Sequence, residues 1–411
     1  MAFQQGLSGL DGASKALDVI SNNVANSSTV GFKGATTKFG DVYAAAMNGA
    51  AAGIQIGIGV SVGAVSQSFN QGNITPTNNP LDLAINGNGF FCVQKTDGTL
   101  AYTRNGQFEL NKNGFLVNAG GLQLLGYPAN AAGQILPATP SPIVLNSSDL
   151  QPAATSNIKV GLNLDSRNTT PAVAFASTAA KPIPDPLSYN SSTSVTIYDS
   201  LGNSHIETMY FRANGGGSWN MYAAIDGGVA NGPTALNFDT SGNLTTAMPL
   251  AMSENIAASF GAVTPVNFNL DFTGSTQYGS AFGINKQQQD GYASGRLSGI
   301  TIAQDGTIQG RYSNGQSKVL GQTVLSNFSN PNGLLSLGDN LWAESPTSGQ
   351  PLVGAPGSGT LGLISAGSVE DSNVDLTKSL VDMITFQRAY QANSQSIKTQ
   401  DQIMQTLVNL R

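Results

Sequence analysis

The sequence predicts a multidomain α+β chain with one helix at each end, paired in a coiled-coil-like manner, and two mainly antiparallel β domains between the helices. Three observations lead to this fold class. The chain has 411 residues, which is too many for one ordinary hydrophobic core. Apolar residues recur every seven positions near both termini, as in helices that keep one face against a partner. Between the termini, alternating apolar residues and turn-forming pairs indicate β-strands.

The N-terminal heptad pattern predicts a helix from about Phe3 to Val24. Beyond it, residues 21–29 are rich in Asn, Ser and Thr, whose short polar side chains compete with a helix for backbone groups. Gly31 then allows a left-handed turn. The face that we expect to meet a partner consists of Phe3, Leu7, Leu10, Leu17, Ile20 and Val24.

Residues 31–70 are predicted to form a Gly- and Ala-rich connector. There is no charged residue from Val42 to Leu81, so a membrane-spanning helix has to be considered. However, Ile and Val alternate with Gly and polar residues from Ile54 to Val62, which is the period of a half-buried strand. We therefore expect a strand within this connector and no insertion into a membrane.

Residues 71–145 carry the signals of an antiparallel β domain. The pairs Asp97-Gly98 and Asn113-Gly114 each lie between two apolar runs, which is the strongest short-range signal of a hairpin. The same pattern returns late in the chain, where Asp305-Gly306 and Ser313–Gln316 separate apolar runs. We expect hairpins at all four positions.

The middle of the chain, residues 146–285, is predicted to be a separate β region. The segments Val195–Tyr198, His205–Phe211 and Trp219–Ile225 are typical of three successive strands, with a turn at Asp199–Gly202. Pro171 and the closely spaced Pro182, Pro184 and Pro186 indicate loops at the start of this region.

The C-terminal helix is expected to begin near Asn373 or Asp375, either of which can cap it, and to run toward Leu410. Its apolar stripe is narrow, so this helix would be marginal alone in water. A simpler interpretation remains open, in which both terminal helices only cover the β domains. The expected assembly face consists of Leu376, Leu380, Met383, Tyr390, Ile397 and Met404.

The composition excludes several kinds of function. Only 10% of the residues are charged, against about a quarter in ordinary domains, and the net charge is −6. This charge balance argues against a nucleic-acid partner, which requires clustered basic residues. Because Cys92 is the only cysteine and His205 the only histidine, an intrachain disulfide and a Cys/His zinc cluster are excluded. We expect no cofactor.

The candidates for catalysis are weak, and the sequence predicts no enzyme. His205 follows a predicted turn and is interpreted as a surface residue, whereas Cys92 lies in an apolar strand and is interpreted as a buried small hydrophobe. The adjacent acids Glu370 and Asp371 are expected to favour the N-terminus of the last helix, although two carboxylates can in principle serve glycoside hydrolysis. Lys33 and Lys38 are expected to form salt bridges instead of a binding patch.

Several segments resemble the family of bacterial flagellar rod and hook proteins. The N-terminal motif residues are Asn22, Asn23, Asn26, Gly31 and Phe32, within Ser21–Asn26 and Thr29–Lys33. The C-terminal motif residues are Asn373, Arg388 and Asn393, within Ser368–Leu376 and Phe386–Asn393. Two further blocks, Asn79–Phe91 and Tyr102–Phe108, also resemble segments of this family. The chain is longer than the rod members, and Asp290–Gly295, Tyr312–Gly315 and Leu325–Gly338 are similar to the hook members.

The resemblance implies a nested architecture in which the two termini share an inner domain. Residues 1–30 and 360–411 would form the helical assembly domain, 31–70 the connector, 71–145 and 286–359 the inner β domain, and 146–285 an inserted outer β domain.

The resemblance also implies a structural subunit that polymerises into the curved, flexible hook and transmits torque from rod to filament, with a distal rod subunit as the alternative. The implied partners are copies of the chain itself, the distal rod protein, the hook cap and the hook–filament junction proteins. Export would use the flagellar type III apparatus and place the chain outside the cell surface. The first ten residues have no basic start and no apolar run, so no cleaved signal peptide is expected.

Overall fold

The structure, a computed structural model, describes residues 2–43, 57–130, 132–145, 148–256 and 261–409. It divides into two compact units. Unit 1 consists of Met1–Ser147, Gly299–Arg311 and Ser317–Arg411, and unit 2 consists of Ser148–Ser298 and Tyr312–Gln316. The division into four regions that the sequence suggests is finer than this and stays a prediction.

Both predicted terminal helices are present. Helix α1 spans Ala2–Ala25 and helix α2 spans Leu376–Asn409. The side chain of Asp375 accepts a hydrogen bond from the backbone N–H of Lys378 at 3.0 Å. Asp375 is therefore the N-cap of α2, one of the two caps that the sequence predicts.

A β-hairpin follows α1 in unit 1. Its strands are β1, Ala35–Tyr43, and β2, Gly57–Gln67, which pair antiparallel. The sequence analysis predicted one strand from Ile54 to Val62; residues 54–56 lie outside the described residues, and β2 extends five residues beyond Val62. Strand β1 was not predicted, because its sequence does not alternate regularly between apolar and polar residues.

The remaining strands before unit 2 are β3 Ile74–Pro76, β4 Leu83–Asn86, β5 Phe90–Gln94, β6 Leu100–Thr103, β7 Phe108–Leu110, β8 Leu116–Asn118, β9 Gln123–Pro128 and β10 Ser141–Pro142. Unit 2 contains β11 Asn157–Asn163, β12 Ser191–Tyr198, β13 Ser204–Gly215, β14 Ser218–Ile225, β15 Asn231–Asn237, β16 Leu250–Glu254, β17 Val266–Asp271 and β18 Gly283–Gln289. The later strands are β19 Leu297–Ile302, β20 Thr307–Tyr312, β21 Ser317–Thr323, β22 Leu325–Asn327, β23 Leu335–Gly338, β24 Leu341–Ala343, β25 Leu352–Gly354, β26 Leu363–Ala366 and β27 Ser368–Glu370.

The hairpin predictions are confirmed. Asp97-Gly98 connects the paired strands β5 and β6, and Asn113-Gly114 connects β7 and β8. Asp305-Gly306 lies between the neighbouring strands β19 and β20, and Ser313–Gln316 connects β20 and β21. The main sheet follows the order β19-β20-β21-β9-β5-β6-β24-β23, and every residue-level pairing described in it is antiparallel.

Strand β5 is buried on both of its faces. Phe91 and Val93 pack into one apolar cluster, whereas Phe90 and Cys92 pack into another that includes Trp342. Because successive side chains of a strand point to opposite faces, a run of apolar residues without alternation is what such a position requires.

Unit 2 contains two four-stranded sheets, β16-β17-β11-β18 and β12-β13-β14-β15. The second is the predicted meander with one more strand. Strands β11 and β17 are parallel, and the other described strand pairs of both sheets are antiparallel. Apolar residues of both sheets form one shared core that includes Trp219, Phe211 and Phe268.

Two short strand pairs determine where α2 begins in unit 1. Strand β26 pairs with β4, and β27 pairs with β3, so residues 363–370 run along strands that come shortly after the hairpin. The chain then reaches α2 only five residues after β27. The C-terminal helix is therefore fixed at its start by backbone hydrogen bonds to the N-terminal half of unit 1.

Candidate assembly site

The two terminal helices pack against each other through small residues of α1. A Cβ atom built at Gly6 would lie 3.0 Å from the side chain of Ile397, and one built at Gly9 would lie 2.7 Å from the Asn393 amide. Ala13 and Ala16 are buried further along the same helix. Because small side chains let two backbones approach closely, this pairing leaves no room for large apolar residues on that face of α1.

Many of the large apolar residues predicted for the assembly face stay exposed in the single chain. The exposed ones are Phe3, Leu7, Leu376, Leu380, Tyr390 and Met404, the half-buried ones are Leu10, Leu17, Val24, Met383 and Ile397, and Ile20 is buried. Three further apolar residues of α2, which the heptad pattern does not include, are also exposed: Val381, Ile384 and Ile403. The helix pair therefore presents an apolar surface to the solvent, and its role in assembly stays a prediction.

The hairpin packs against both helices. The side-chain amide of Gln5 in α1 donates to the carbonyl oxygen of Gly57 at 2.6 Å, and the Phe39 ring lies 5.9 Å from the Phe386 ring of α2. The family-motif residue Asn23 completes this contact, because its side chain both donates to the carbonyl of Ala35 and accepts from the Ala35 N–H. The Asn23 side chain thus satisfies both backbone groups of Ala35, the first residue of β1, as a paired strand would.

Asn22 and Asn26 form hydrogen bonds at the C-terminal end of α1. The side-chain amide of Asn26 donates to the Asn22 carbonyl at 3.0 Å, and its oxygen accepts from the Thr29 hydroxyl at 3.1 Å. These bonds satisfy groups that the end of a helix leaves free. They explain why short polar residues follow the heptad pattern.

Asn373 connects the start of α2 to the hairpin. Its side-chain oxygen accepts from the N–H of Gly34 at 2.8 Å, and its amide donates to the carbonyls of Ser68 at 2.7 Å and Asn70 at 2.9 Å. One side chain therefore contacts the chain on both sides of the hairpin. The other motif residues are Phe32, which is half-buried, Arg388, which is exposed, and Asn393, which is half-buried.

A buried ion triad lies where the hairpin meets the β-strands of unit 1. The ammonium group of Lys33 is 2.6 Å from one carboxylate oxygen of Glu370, and the guanidinium group of Arg104 is 3.0 Å from the other. All three side chains are nearly inaccessible to solvent. Burial lowers the pKa of Lys33 and that of Arg104, and the attraction of Glu370 opposes this effect in both.

The triad corrects the prediction for Glu370. This residue ends strand β27 and is fully buried, so it does not lie at the N-terminus of the last helix. The salt bridge predicted for Lys33 is confirmed, whereas Lys38 is exposed. Asp371 accepts a hydrogen bond from the Thr75 hydroxyl at 2.5 Å. The carboxylates of Glu370 and Asp371 are therefore engaged in holding strands and not in an acid pair.

The position of Gly31 requires glycine for two reasons, its backbone conformation and the atoms that surround it. It has φ +72°, and a Cβ atom at this position would lie 2.5 Å from the backbone nitrogen of Asn105. Its own N–H donates to the carbonyl of Glu370 at 2.7 Å. The turn after α1 therefore lies in close contact with the backbone segments that carry Arg104 and Glu370.

We expect Gly31→Ala to lower the free energy of unfolding by more than Gly98→Ala does. Both glycines have a positive φ, which costs a residue with a Cβ roughly 1–2 kcal/mol. At Gly98 no atom lies within 4 Å of the new Cβ, whereas at Gly31 the backbone must move. Urea unfolding of both variants measures the difference, and equal losses would show that the close contact at Gly31 is unimportant.

The two residues considered for catalysis are both buried. Cys92 is a buried strand residue as predicted, and burial raises the pKa of its thiol to about 12. The prediction that His205 is a surface residue is wrong. Its Nδ1 atom lies 2.6 Å from Asp226 and its Nε2 atom 3.3 Å from Asp199, because the turn after β12 and the end of β14 bring both aspartates to it.

Within the described ranges, no group of three or more His, Cys, Asp or Glu side chains is placed to hold a metal ion. No helix among them is long and apolar enough to cross a membrane.

Comparisons with protein families match the chain in four segments. Residues 3–33 match "Flagella basal body rod protein" and residues 84–163 match "Flagellar hook protein FlgE/F/G D1 domain". Residues 163–292 match "Flagellar basal body protein FlaE D2 domain" and residues 365–410 match "Flagellar basal body rod FlgEFG protein C-terminal". The matches therefore include both helices and the strands from β5 to β18.

Full-length relatives decide the family. The chain is 42% identical over 419 residues to the flagellar hook protein FlgE of Escherichia coli strain K12, with 100% of both chains covered. The chain belongs to the flagellar hook protein family. It is also 41% identical to FlgE of Salmonella typhimurium over the full length of both chains. As a member of this family, it is a structural subunit of the flagellar hook.

A solved structure supports the fold of this hook subunit. The crystal structure of Helicobacter pylori flagellar hook protein FlgE2 matches with a TM-score of 0.53, covering 72% of this chain and 99% of that chain at 15% identity. The rod-protein matches are confined to the two ends of the chain, whereas the hook-protein relatives match it throughout. A rod subunit is therefore the less supported alternative.

Proposed function

We propose that this hook subunit polymerises through the exposed apolar residues of α1 and α2 into a curved, flexible helical tube that transmits torque from rod to filament. The observation that carries this proposal is the apolar surface of the paired helices. Leu376, Leu380 and Ile384 are each about half exposed on the first turns of α2, and Phe3 and Leu7 are exposed on α1. Burying one such side chain in a neighbouring subunit contributes about 1.5–3 kcal/mol.

A second copy of the chain is the occupant that best accounts for this surface. An exposed apolar patch of several large residues marks an interaction site in soluble proteins. These exposed residues lie on the two segments that match the basal body rod families, residues 3–33 and 365–410. The gain per subunit is repeated along a polymer, so contacts that are individually modest suffice to hold the polymer together.

The composition supports a flexible polymer. With only 10% charged residues, subunit surfaces are mostly neutral hydrogen-bonding groups. Two neutral surfaces can shift relative to each other without burying an unpaired charge, which would cost free energy. We propose that contacts of this kind let neighbouring subunits slide while the helices keep the tube closed.

We also propose the environment of the assembled chain. The hook would lie outside the cell surface, with the distal rod protein, the hook cap and the hook–filament junction proteins as partners. Export would proceed through the flagellar type III apparatus without a cleaved signal peptide. The chain would have no enzymatic activity and no nucleic-acid partner; the burial of Cys92 and the engagement of His205 by two aspartates support the first point.

Electron microscopy of basal bodies from cells that lack the chain tests this function. We expect complete rods and rings with neither a curved joint nor a filament, and restoration of both when the chain is supplied again. Truncated rods would instead assign the chain to the rod. Intact flagella would contradict both assignments.

A further inference from the structure

Two carboxyl groups of unit 2 are buried without the partners that an ionised carboxylate needs. Glu207 in β13 is fully buried, and among the described residues neither of its carboxyl oxygens has a hydrogen-bond partner. Glu254 at the end of β16 is 2% exposed. One of its oxygens accepts from the Asn231 amide at 2.5 Å, and the other has no partner among the described residues.

The surroundings of Glu207 are mainly apolar. It lies on the same face of β13 as the buried residues Met209 and Phe211, which pack into the core of unit 2. Its neighbours across the sheet are Val195 of β12 and Ile225 of β14, which are also buried. An ionised carboxylate in such a place loses its hydration, and no hydrogen bond or opposite charge from the described residues compensates for that loss.

The charged groups around Glu207 do not compensate for this loss. Glu254 of β16 and Asp226, which follows β14, are the charges that act on its carboxyl, and both are acids. A third acid, Asp199 after β12, contacts the neighbouring His205. His205 lies two positions before Glu207 on the same strand and carries a positive charge only when it is protonated. Both ring nitrogens of His205 already contact Asp199 and Asp226.

We propose that unit 2 is a proton-binding unit, in which Glu207 and Glu254 hold protons in the folded state that the unfolded chain releases, so that alkaline conditions weaken this unit. The ligand is the proton, and the site is the pair of carboxyls beside the His205 cluster. The inference does not depend on the assembly proposed for the helices.

The direction of each pKa shift agrees with this geometry. Burial, and then the charges of Glu254 and Asp226, raise the pKa of Glu207 to about 9. Burial raises the pKa of Glu254 to about 7, although the hydrogen bond from Asn231 opposes it. Burial acts to lower the pKa of His205, but its bonds to Asp226 and Asp199 outweigh this effect and raise it.

All three raised pKa values change stability in the same direction. Between the ordinary pKa of a glutamate and about 9, the folded unit keeps a proton on Glu207 that the unfolded chain has lost. The folding equilibrium constant therefore falls by up to about tenfold per pH unit for each proton kept. Glu254 adds to this fall up to about pH 7, and His205 adds to it above its ordinary pKa.

Other acids limit the effect on the acid side. The backbone N–H of Asn243 lowers the pKa of Asp239, and the hydroxyl of Thr273 lowers that of Asp271. Such groups contribute stability that is lost as the pH falls through their lowered pKa values. We therefore expect unit 2 to be most stable in mildly acidic solution.

Infrared spectroscopy of the full chain tests the proton on Glu207 directly. A protonated carboxyl has a C=O stretch that ionised carboxylates lack, and we expect this band at neutral pH in the wild-type chain. It should weaken in Glu207→Gln, where only the proton on Glu254 remains, and keep its intensity in the control Glu109→Gln, which changes an exposed glutamate of unit 1. A wild-type spectrum without the band at neutral pH would overturn the proposal, even if the Gln variant fails to fold.

Thermal unfolding between about pH 5 and about pH 9 gives the second readout, with hydrogen exchange of β13 assigning the transition to unit 2. We expect the unfolding temperature to fall by a few degrees per pH unit in the wild type, and by less in Glu207→Gln. An unfolding temperature that does not change with pH would overturn the proposal. So would stabilisation by calcium or sodium chloride, relative to choline chloride, at the alkaline end, because it would show ionised carboxylates that bind a cation.

Discussion

Replacing Leu380 with glutamate is expected to abolish polymerisation while leaving the fold of the single chain unchanged. Leu380 is 44% exposed on α2, so in the single chain the new carboxylate stays in water. If a neighbouring subunit covers this position, the charge must be desolvated without a partner, and the apolar contact of about 1.5–3 kcal/mol is lost as well. The critical concentration for polymerisation should rise at least about tenfold, because each 1.4 kcal/mol is a factor of ten.

The matched control for Leu380→Glu is Gln395→Glu, which adds the same charge to an exposed polar position of the same helix. Sedimentation and electron microscopy measure polymer formation, and far-ultraviolet circular dichroism measures helix content before assembly. Normal polymers from Leu380→Glu would contradict the proposed interface. A loss of helix in the unassembled variant would indicate instead that Leu380 supports the fold of the single chain.

The sequence predicted the elements whose signals are local. The heptad pattern located α1 and α2, and the Asp375 cap marked the start of α2. Asp97-Gly98 and Asn113-Gly114 located hairpins, since a positive φ after a short polar residue is a requirement that only a few dipeptides meet. These predictions needed no knowledge of distant parts of the chain.

The heptad pattern was less informative about which residues touch. It indicates that one face of a helix is apolar, but not whether a helix of the same chain or of another subunit covers that face. Within the single chain, α1 meets α2 through Gly6 and Gly9, whereas Phe3 and Leu7 stay exposed. The spacing of small residues from Gly6 to Ala16 was the available signal for the internal contact.

The buried charges could not have been located from the sequence. Glu370 and Lys33 are separated by 337 positions, and Glu370 and Arg104 by 266. Nothing in their local sequence distinguishes them from surface residues, and His205 was misassigned for the same reason, because Asp226 comes from a different strand end.

The second large effect is expected from Glu370→Gln, which should lower the free energy of unfolding of unit 1 by about 3–5 kcal/mol. Glu370 is the anion of the buried triad, and among the described residues no other carboxylate forms an ion pair with Lys33 or Arg104. The neutral amide has nearly the same shape, so the loss would come from leaving two buried cations without a counter-charge.

Lys33→Met provides the comparison that identifies the cause of this loss. It removes one cation but keeps the pair of Arg104 and Glu370, and the N–H of Gly72 still donates to the carboxylate at 2.8 Å. We therefore expect Lys33→Met to cost less than Glu370→Gln, and the exposed control Glu109→Gln to change stability by less than about 0.5 kcal/mol. Urea unfolding of the full chain gives the free energies, and hydrogen exchange of β3 and β27 assigns the loss to unit 1. Equal costs for the two triad variants would show that lost packing, and not the unpaired charge, causes the loss of stability.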